Sequence, residues 1–492
     1  MNYGIIFRLL ALIHLAIGVA LTASFSVGLI FPFDEGENRA VHGLELAAGI
    51  SFIFAIVFLW FGRKGKATIF HKEALAVIGL GWLFASFVGA IPYYFSIPEL
   101  SFASAFFESA SGFTTTGASV FSDVSGLPHA ILFWRSLTQW IGGLGVVVFF
   151  VAILSFLGSG AKVLFSREYS GNSEDVYDGR MQTGALRIMV LYLVFSLLCA
   201  IAYRFAGMEW FDAVCHMFAT VSTGGFGTLT ESLAGFASPA VEWVSIVFMA
   251  ICGASFLLFL RAFRRDGVRT LFRNLEFVCY IAILVGASIF VGLILLASDP
   301  SDSPHDIIRG SIFQVVSIMT TTGFATENFA VWAYPAQITL LGLMIIGGCS
   351  GSTAGGSKVI RFVVSSRAIM FHLERAFRPH VVRPMRINNR TMSTDDIQEI
   401  SLFLVLAFFV MALSCLLVSI FEPQLDPLSL FSSVVACLFN IGPGLGSFGP
   451  TENFGQLEDY TKVYLALLMI MGRLEFYAIL VLFAPSLWKR FS

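Results

Sequence analysis

Ser317-Ile-Met-Thr-Thr-Thr-Gly-Phe-Ala-Thr326 decides the fold, because versions of it occur four times along the chain. The others are Ala110-Ser-Gly-Phe-Thr-Thr-Thr-Gly-Ala118, Ala219-Thr-Val-Ser-Thr-Gly-Gly-Phe-Gly227 and Cys437-Leu-Phe-Asn-Ile-Gly-Pro-Gly-Leu445. Aligned on Gly117, Gly224, Gly323 and Gly442, they recur at near-even spacing, and such recurrence dictates architecture. In each copy a short apolar segment of about three to four helical turns leads into small residues, then Gly. Small residues ending in Gly let the backbone turn its carbonyls toward a common axis. Four strings around one axis would make rings of carbonyl oxygens able to replace an ion's hydration shell. A single Thr/Ser/Gly run would read as a loop or a small-residue helix contact. Four copies argue against that.

Working outward, the 492 residues are 57% hydrophobic and only 13% charged, with a mean hydropathy of +0.82. A soluble domain carries about 25% charge, so repeated apolar runs of about twenty residues point to one polytopic membrane protein. The seven cysteines are scattered without a Cys-x-x-Cys pair, which disfavours a zinc site or disulfide framework. Net charge of −2 is uninformative, since membrane orientation follows where Lys and Arg sit.

The apolar run Leu9 to Phe31 is longer than a signal h-region and is expected to be a retained first span. Further spans are expected at Gly43 to Phe61, Ala74 to Phe95, Leu127 to Leu157, up to Phe205, Val241 to Leu260, up to Ser298, Gln337 to Arg361, Leu402 to Phe421 and Tyr464 to Leu487. Basic loops (Arg63-Lys-Gly-Lys66 with Lys72; Arg261, Arg264, Arg265, Arg269 and Arg273; Arg361 to Arg390, holding Arg367, Arg375, Arg378, Arg383 and Arg386) alternate with acidic or neutral ones (Asp34, Glu35, Glu37; Asp299, Asp302, Asp306). Lys162 to Arg187 is polar, mixed in sign and long enough to leave the membrane. This alternation puts both termini in the cytoplasm and the strings' openings outside.

The expected fold is therefore an all-α polytopic membrane protein of ten transmembrane helices and four re-entrant pore loops. Two extra N-terminal helices (1–72) precede four pseudo-symmetric helix–pore-helix–helix repeats: 73–165, 166–265, 266–365 with an intramembrane loop, and 366–492 with a cytoplasmic linker. Start signals for the short helices are Asp212, Ser303-Pro304 and Asp426-Pro427. Each short helix would point its partial negative end at the bilayer centre, favouring a cation. Candidate ion ligands are Thr115, Thr116, Gly117, Ser222, Thr223, Gly224, Thr321, Thr322, Gly323, Asn440, Ile441 and Gly442. The fourth string lacks hydroxyls, and none reads Thr-Val-Gly-Tyr-Gly, so few well-formed sites and a modest potassium-over-sodium margin are expected. Glu108 is expected to hydrogen-bond behind the first string. Arg135 and Gln139, one turn apart, are expected to brace neighbouring units.

Gly347-Gly-Cys-Ser-Gly-Ser-Thr-Ala-Gly-Gly-Ser357 interrupts a span, and five glycines break a helix. It lacks the Gly-Lys-Ser/Thr ending of a phosphate loop, and Gly442-Pro-Gly-Leu-Gly446 follows no strand, so neither carries a nucleotide reading. The alternatives are a pore-blocking loop beneath the strings, with Gly347, Gly348, Gly351, Ser352, Gly355 and Gly356, or a tight helix crossing. Arg473, beside Glu475 in the last span, faces an interior or aqueous path. There it would repel cations or hydrogen-bond the loop's carbonyls; a pair with Glu475 is disfavoured because the two do not share a helix face.

These strings, Leu127-Pro-His-Ala-Ile-Leu-Phe133 with Gln139-Trp140, Gly347 to Arg361, and Gly472-Arg-Leu-Glu475 resemble the Trk/Ktr/HKT superfamily of potassium transporters, in its TrkH-type membrane subunits, over essentially the whole chain. The resemblance implies a pseudo-fourfold pore, a homodimer in the bacterial inner membrane, potassium uptake, and a cytosolic TrkA-like ring that carries the nucleotide and works the gate. Gly347 to Ser357 would be the gating loop and Arg473 its counterpart. The Arg261–Arg273 and Arg361–Arg390 blocks would meet the partner or be ordinary cytoplasmic charge. No cofactor is expected in this chain, potassium being cargo, and no nucleic acid. The alternative is a secondary transporter coupling potassium symport to proton or sodium, although such folds favour inverted or paired repeats. An enzyme would need a cluster of acid, base, nucleophile or metal ligands, and the chain offers none.

Overall fold

The structure is a computed structural model that describes residues 1–31, 35–63, 71–145, 181–263, 267–298, 303–379, 385–388 and 390–488. Asp34, Lys64, Lys66, Arg264, Arg265, Asp299, Asp302, Arg383, most of the Lys162 to Arg187 segment and the second half of the Leu127 to Leu157 span lie outside the described residues.

Six helices among the described residues are long and apolar enough to cross a membrane, or up to seven if one bent pair counts as a span. Of the ten expected spans, these are the continuous ones among the described residues. The six are Tyr3–Gly28, Glu35–Gly62, His71–Ser96, Met181–Phe205, Leu275–Ser298 and Thr394–Phe421. Two form an N-terminal hairpin, and each of the other four precedes one string. The segments that follow the strings are shorter or broken. His129–Leu144 runs up to the end of its described stretch, Pro239–Cys252 is parted from Phe256–Arg261, Tyr334–Ile346 from Val359–Phe377, and Asp459–Arg473 from Tyr477–Leu480. The last pair is bent by 115°. Arg473 therefore sits at a corner rather than inside a straight span.

Four short helices, Phe102–Phe113, Trp210–Val221, Pro304–Met319 and Pro427–Phe439, lead into the four strings. Ser101 caps the first by accepting from the Ser104 N–H at 3.1 Å. Asp426 caps the fourth by accepting from Leu428 and Ser429 at 3.1 and 3.0 Å. Ser303 occupies the cap of the third with Pro304 in its first turn, but its side chain makes no capping bond. The second departs from expectation. Glu209 is its cap residue, and Asp212 lies inside the first turn, accepting from the Thr228 hydroxyl at 2.6 Å. Asp212 serves a tertiary contact because a carboxylate in that turn reaches the returning chain.

The core is continuous through these elements. All four short helices bury most of their residues, including polar ones such as Glu108, His216, Gln314 and Ser433. Lipid-sized apolar surface is left on the long helices instead, at Ile56, Leu197, Phe290 and Phe409 for example.

Candidate functional site

The first three short helices end the same way, and the fourth shares the longer of their two closing bonds. The Thr115, Thr223 and Thr321 N–H groups donate three residues back, to Gly112, Thr220 and Ile318. The Thr116, Gly224, Thr322 and Ile441 N–H groups donate five back, to Ser111, Ala219, Ser317 and Ala436. This is the Schellman closure, which demands a left-handed residue at its corner, usually Gly. Here the corner holds Thr115, Thr223, Thr321 and Asn440, with φ of 53°, 54°, 56° and 59°. A β-branched residue in that region is uncommon and costs about 1–3 kcal/mol, and such strain clusters at functional sites.

A second left-handed position follows two residues later, at Gly117, Gly225, Gly323 and Gly442, with φ of 83°, 80°, 83° and 98°. The register of the second string is therefore corrected by one residue. Thr223-Gly224-Gly225 matches Thr115-Thr116-Gly117, and Ser222 is the helix cap, equivalent to Thr114. Two adjacent glycines made both alignments legal in sequence. The corner residue decides between them.

The glycines also show how the strings are arranged. A Cβ added to Gly117 would lie 2.2 Å from the Gly224 carbonyl oxygen, and one on Gly225 would lie 1.9 Å from that of Thr322. One on Gly323 would lie 2.1 Å from the Ile441 oxygen, and one on Gly442 2.8 Å from the Thr116 oxygen. First meets second, second meets third, third meets fourth, and fourth meets first. The four strings close a ring in chain order, with each string's glycine lodged against a carbonyl of the next string. The Asn440 amide ties the closing seam by donating to the Thr116 hydroxyl and the Met469 carbonyl, both at 2.9 Å.

Behind the first two strings lies a buried ion pair. Arg135 Nε donates to Glu108 Oε1 at 2.8 Å, and its Nη atoms donate to Gly227 O and Ser119 Oγ at 3.2 Å. Glu108 also accepts from the Val120 N–H at 2.9 Å. Gln139 Nε2 donates to Gly224 O at 2.6 Å, and its Oε1 accepts from the Phe226 N–H at 3.0 Å. Both braces span repeats, as their spacing suggested.

The glycine-rich loop, Gly347 to Ser357, packs on the helix ends of three strings. The Gly355 N–H donates to Thr321 Oγ1 at 2.6 Å, the Gly356 N–H to Phe439 O at 2.9 Å, and Thr353 Oγ1 to Val221 O at 3.1 Å. It also docks into the break at Gly253–Ser255: the Cys349 N–H donates to Gly253 O at 2.9 Å and the Phe256 N–H to Gly351 O at 3.0 Å. Glu276, from the span before the third string, accepts from the Ser350 N–H at 2.6 Å. Glu276 carries no motif, and nothing within the glycine-rich stretch marks Thr353 out, so only the folded chain reveals their part.

Arg473 is 5% exposed, and its Nε and Nη2 have no hydrogen-bond partner. It does not hold the loop's carbonyls. Lys358 does, donating to Ala354 O. Glu475 is bonded to Arg361, the third residue of the helix after the loop, at 2.5 Å, so the disfavoured Arg473–Glu475 pair is absent. Residues 475 and 476 have positive φ, 54° and 66°, which turns Glu475 away from Arg473 at the corner.

A multi-pass helical membrane protein whose repeated half-buried helices close a four-part ring belongs, by architecture, among transport proteins. The cation transport protein family TrkH matches residues 44–490. The "Trk system potassium uptake protein TrkH" of Escherichia coli strain K12 is 34% identical over 491 residues, covering 99% of this chain and all of that one. The "Trk system potassium uptake protein TrkG" of the same strain is 31% identical, covering 90% of this chain and 93% of its own length. The crystal structure of the "Potassium Transporter TrkH from Vibrio parahaemolyticus" superposes with a TM-score of 0.89 at 31% identity, over 99% of this chain and 100% of that one. The chain belongs to the TrkH family of cation transport proteins, a family of transporters rather than enzymes.

Proposed function

We propose that this chain carries potassium into the cell through the ring of four strings, as the membrane subunit of a Trk-type uptake system. The observation that carries the reading is the closed ring: four left-handed corners followed by four left-handed glycines, each against the next string's carbonyl. Positive and negative φ alternate through each string, which swings successive carbonyls to one side, and stacked rings of carbonyls can replace a potassium ion's water shell. The ligands are the corner residue, the middle residue and the glycine of each string, with Gly225 added to the second. The unequal hydroxyls and the Gln139 bond on the Gly224 carbonyl make the ring irregular, consistent with a modest margin over sodium.

Gly347 to Ser357 is the gate in this reading. Its N–H groups bond the Thr321 hydroxyl and the Phe439 carbonyl, so an ion leaving the ring meets the loop first. Arg473 opposes cations beneath it, as an unpaired buried guanidinium must. The helix Val359–Phe377 continues directly from the loop and carries Arg361, Arg367 and Arg375. Its basic residues support a cytoplasmic position, where a TrkA-like, nucleotide-binding ring would pull on it. The relatives' "Trk system" names support a multi-component assembly; the homodimer, the inner-membrane location, cytoplasmic termini and the repeat boundaries at 73, 166, 266 and 366 belong to the same reading.

Rubidium uptake into proteoliposomes holding the chain alone tests it. Uptake driven by membrane potential, competed by potassium more than by sodium, is expected. Uptake that requires an imposed proton or sodium gradient would instead favour coupled transport.

A further inference from the structure

The N-terminal hairpin lies outside the four repeats, yet one of its carboxylates reaches the ring's bracing. Glu37, in the first turn of Glu35–Gly62, is 3% exposed. Its Oε2 accepts from the His129 N–H and its Oε1 from the Ala130 N–H, both at 2.9 Å. These are the first two amides of His129–Leu144, and helix-initial amides have no partner within the helix. The helix's own cap residue is Pro128, which makes no side-chain capping bond. Glu37 supplies the cap from elsewhere in the chain, with its charge at the positive helix end. Phe31 stacks on the His129 ring at 4.1 Å, fixing the same joint. Further along that helix stand Arg135 and Gln139, which hold Glu108, Ser119, Gly227, Gly224 and Phe226.

We infer that Glu37 is a positioning residue for ion selection: by capping His129–Leu144 it sets the height and rotation of the helix whose Arg135 and Gln139 shape the first two strings. The inference rests on the reading of the strings as the filter. The extra hairpin thereby acquires a function within transport, as a buttress that holds two of the four strings in register.

The test is the potassium-to-sodium flux ratio in proteoliposomes of the full chain for parent, Glu37→Gln, Glu37→Asp, Ser51→Ala and Gly323→Ser. Gln keeps the size but turns an NH2 group toward one of the two N–H donors. Ser51, buried in the same hairpin and bonded to His14 O at 2.8 Å, reports general damage to the hairpin. The ratio is expected to fall about fivefold in Glu37→Gln, the scale of one lost helix cap. It falls less in Glu37→Asp and stays unchanged in Ser51→Ala. A parental ratio in Glu37→Gln beside a lost ratio in Gly323→Ser overturns the inference and leaves the filter reading standing. A parental ratio in both overturns the filter reading as well. An equal fall in Ser51→Ala overturns the role of Glu37 in particular. If Glu37→Gln does not reach the membrane, Glu37→Asp decides on the same outcomes.

Discussion

Gly225, not Gly224, carries the close approach in the second string, and this has a direct consequence. A Cβ on Gly225 would lie 1.9 Å from the Thr322 carbonyl, whereas one on Gly224 would lie 2.5 Å from the Gln139 side chain. Backbone cannot retreat as a side-chain amide can. Gly225→Ser is therefore expected to abolish potassium preference and Gly224→Ser only to reduce it, measured by flux competition; the reverse order would restore the sequence-based register. The buried pair behind the ring is equally exposed to a single change. Arg135→Met leaves the Glu108 carboxyl buried without its ion-pair partner, a loss of about 3–5 kcal/mol where one member of a buried pair is removed. The melting temperature of the purified protein should fall sharply, and the double change Glu108→Gln with Arg135→Met should recover part of it. At this scale much was readable: the strings stood out because only small residues fit where backbones meet. The corner threonines were not, since their residue type does not announce a positive φ.

Among the elements, the fourth short helix offers a pH dependence that can be signed. Hydrogen bonding from Ser429, side chain first and then backbone, holds the Asp426 carboxyl below its usual range. A depressed folded-state value contributes stability in full above the unfolded value of about 4. That contribution is lost as pH falls through the lower folded value. Asp426→Ala should cost about 1 kcal/mol near neutrality and progressively less in acid, so parent and variant melting temperatures should converge below about pH 4. A constant gap would contradict the cap. The six continuous spans followed from hydropathy alone. The breaks at Gly253–Ser255 and after Arg473 did not, because apolar composition runs on through them and hydropathy is blind to a turn. Gly347 to Ser357 was legible because its glycines are dense enough to forbid a helix.

For the whole molecule, the loop and the ring make one assembly, with three of the four helix ends bonded to the loop. Deleting Gly351 to Gly356 removes those bonds, and uptake by the chain alone should then become constitutive and insensitive to any added cytosolic partner. Silence of the deletion until a partner is supplied would contradict the gate. Sequence alone left the loop either beneath the strings or in a tight helix crossing, since its contacts to Val221, Thr321 and Phe439 join distant parts of the chain. The capping of His129–Leu144 by Glu37 was hidden for the same reason. The central claim is that the four strings select the ion with backbone carbonyls. Rubidium uptake against competing sodium, compared between parent and Gly323→Ser in proteoliposomes, tests it most directly. An added side chain 2.1 Å from the Ile441 carbonyl should erase the preference for potassium, and an unchanged preference would contradict the claim.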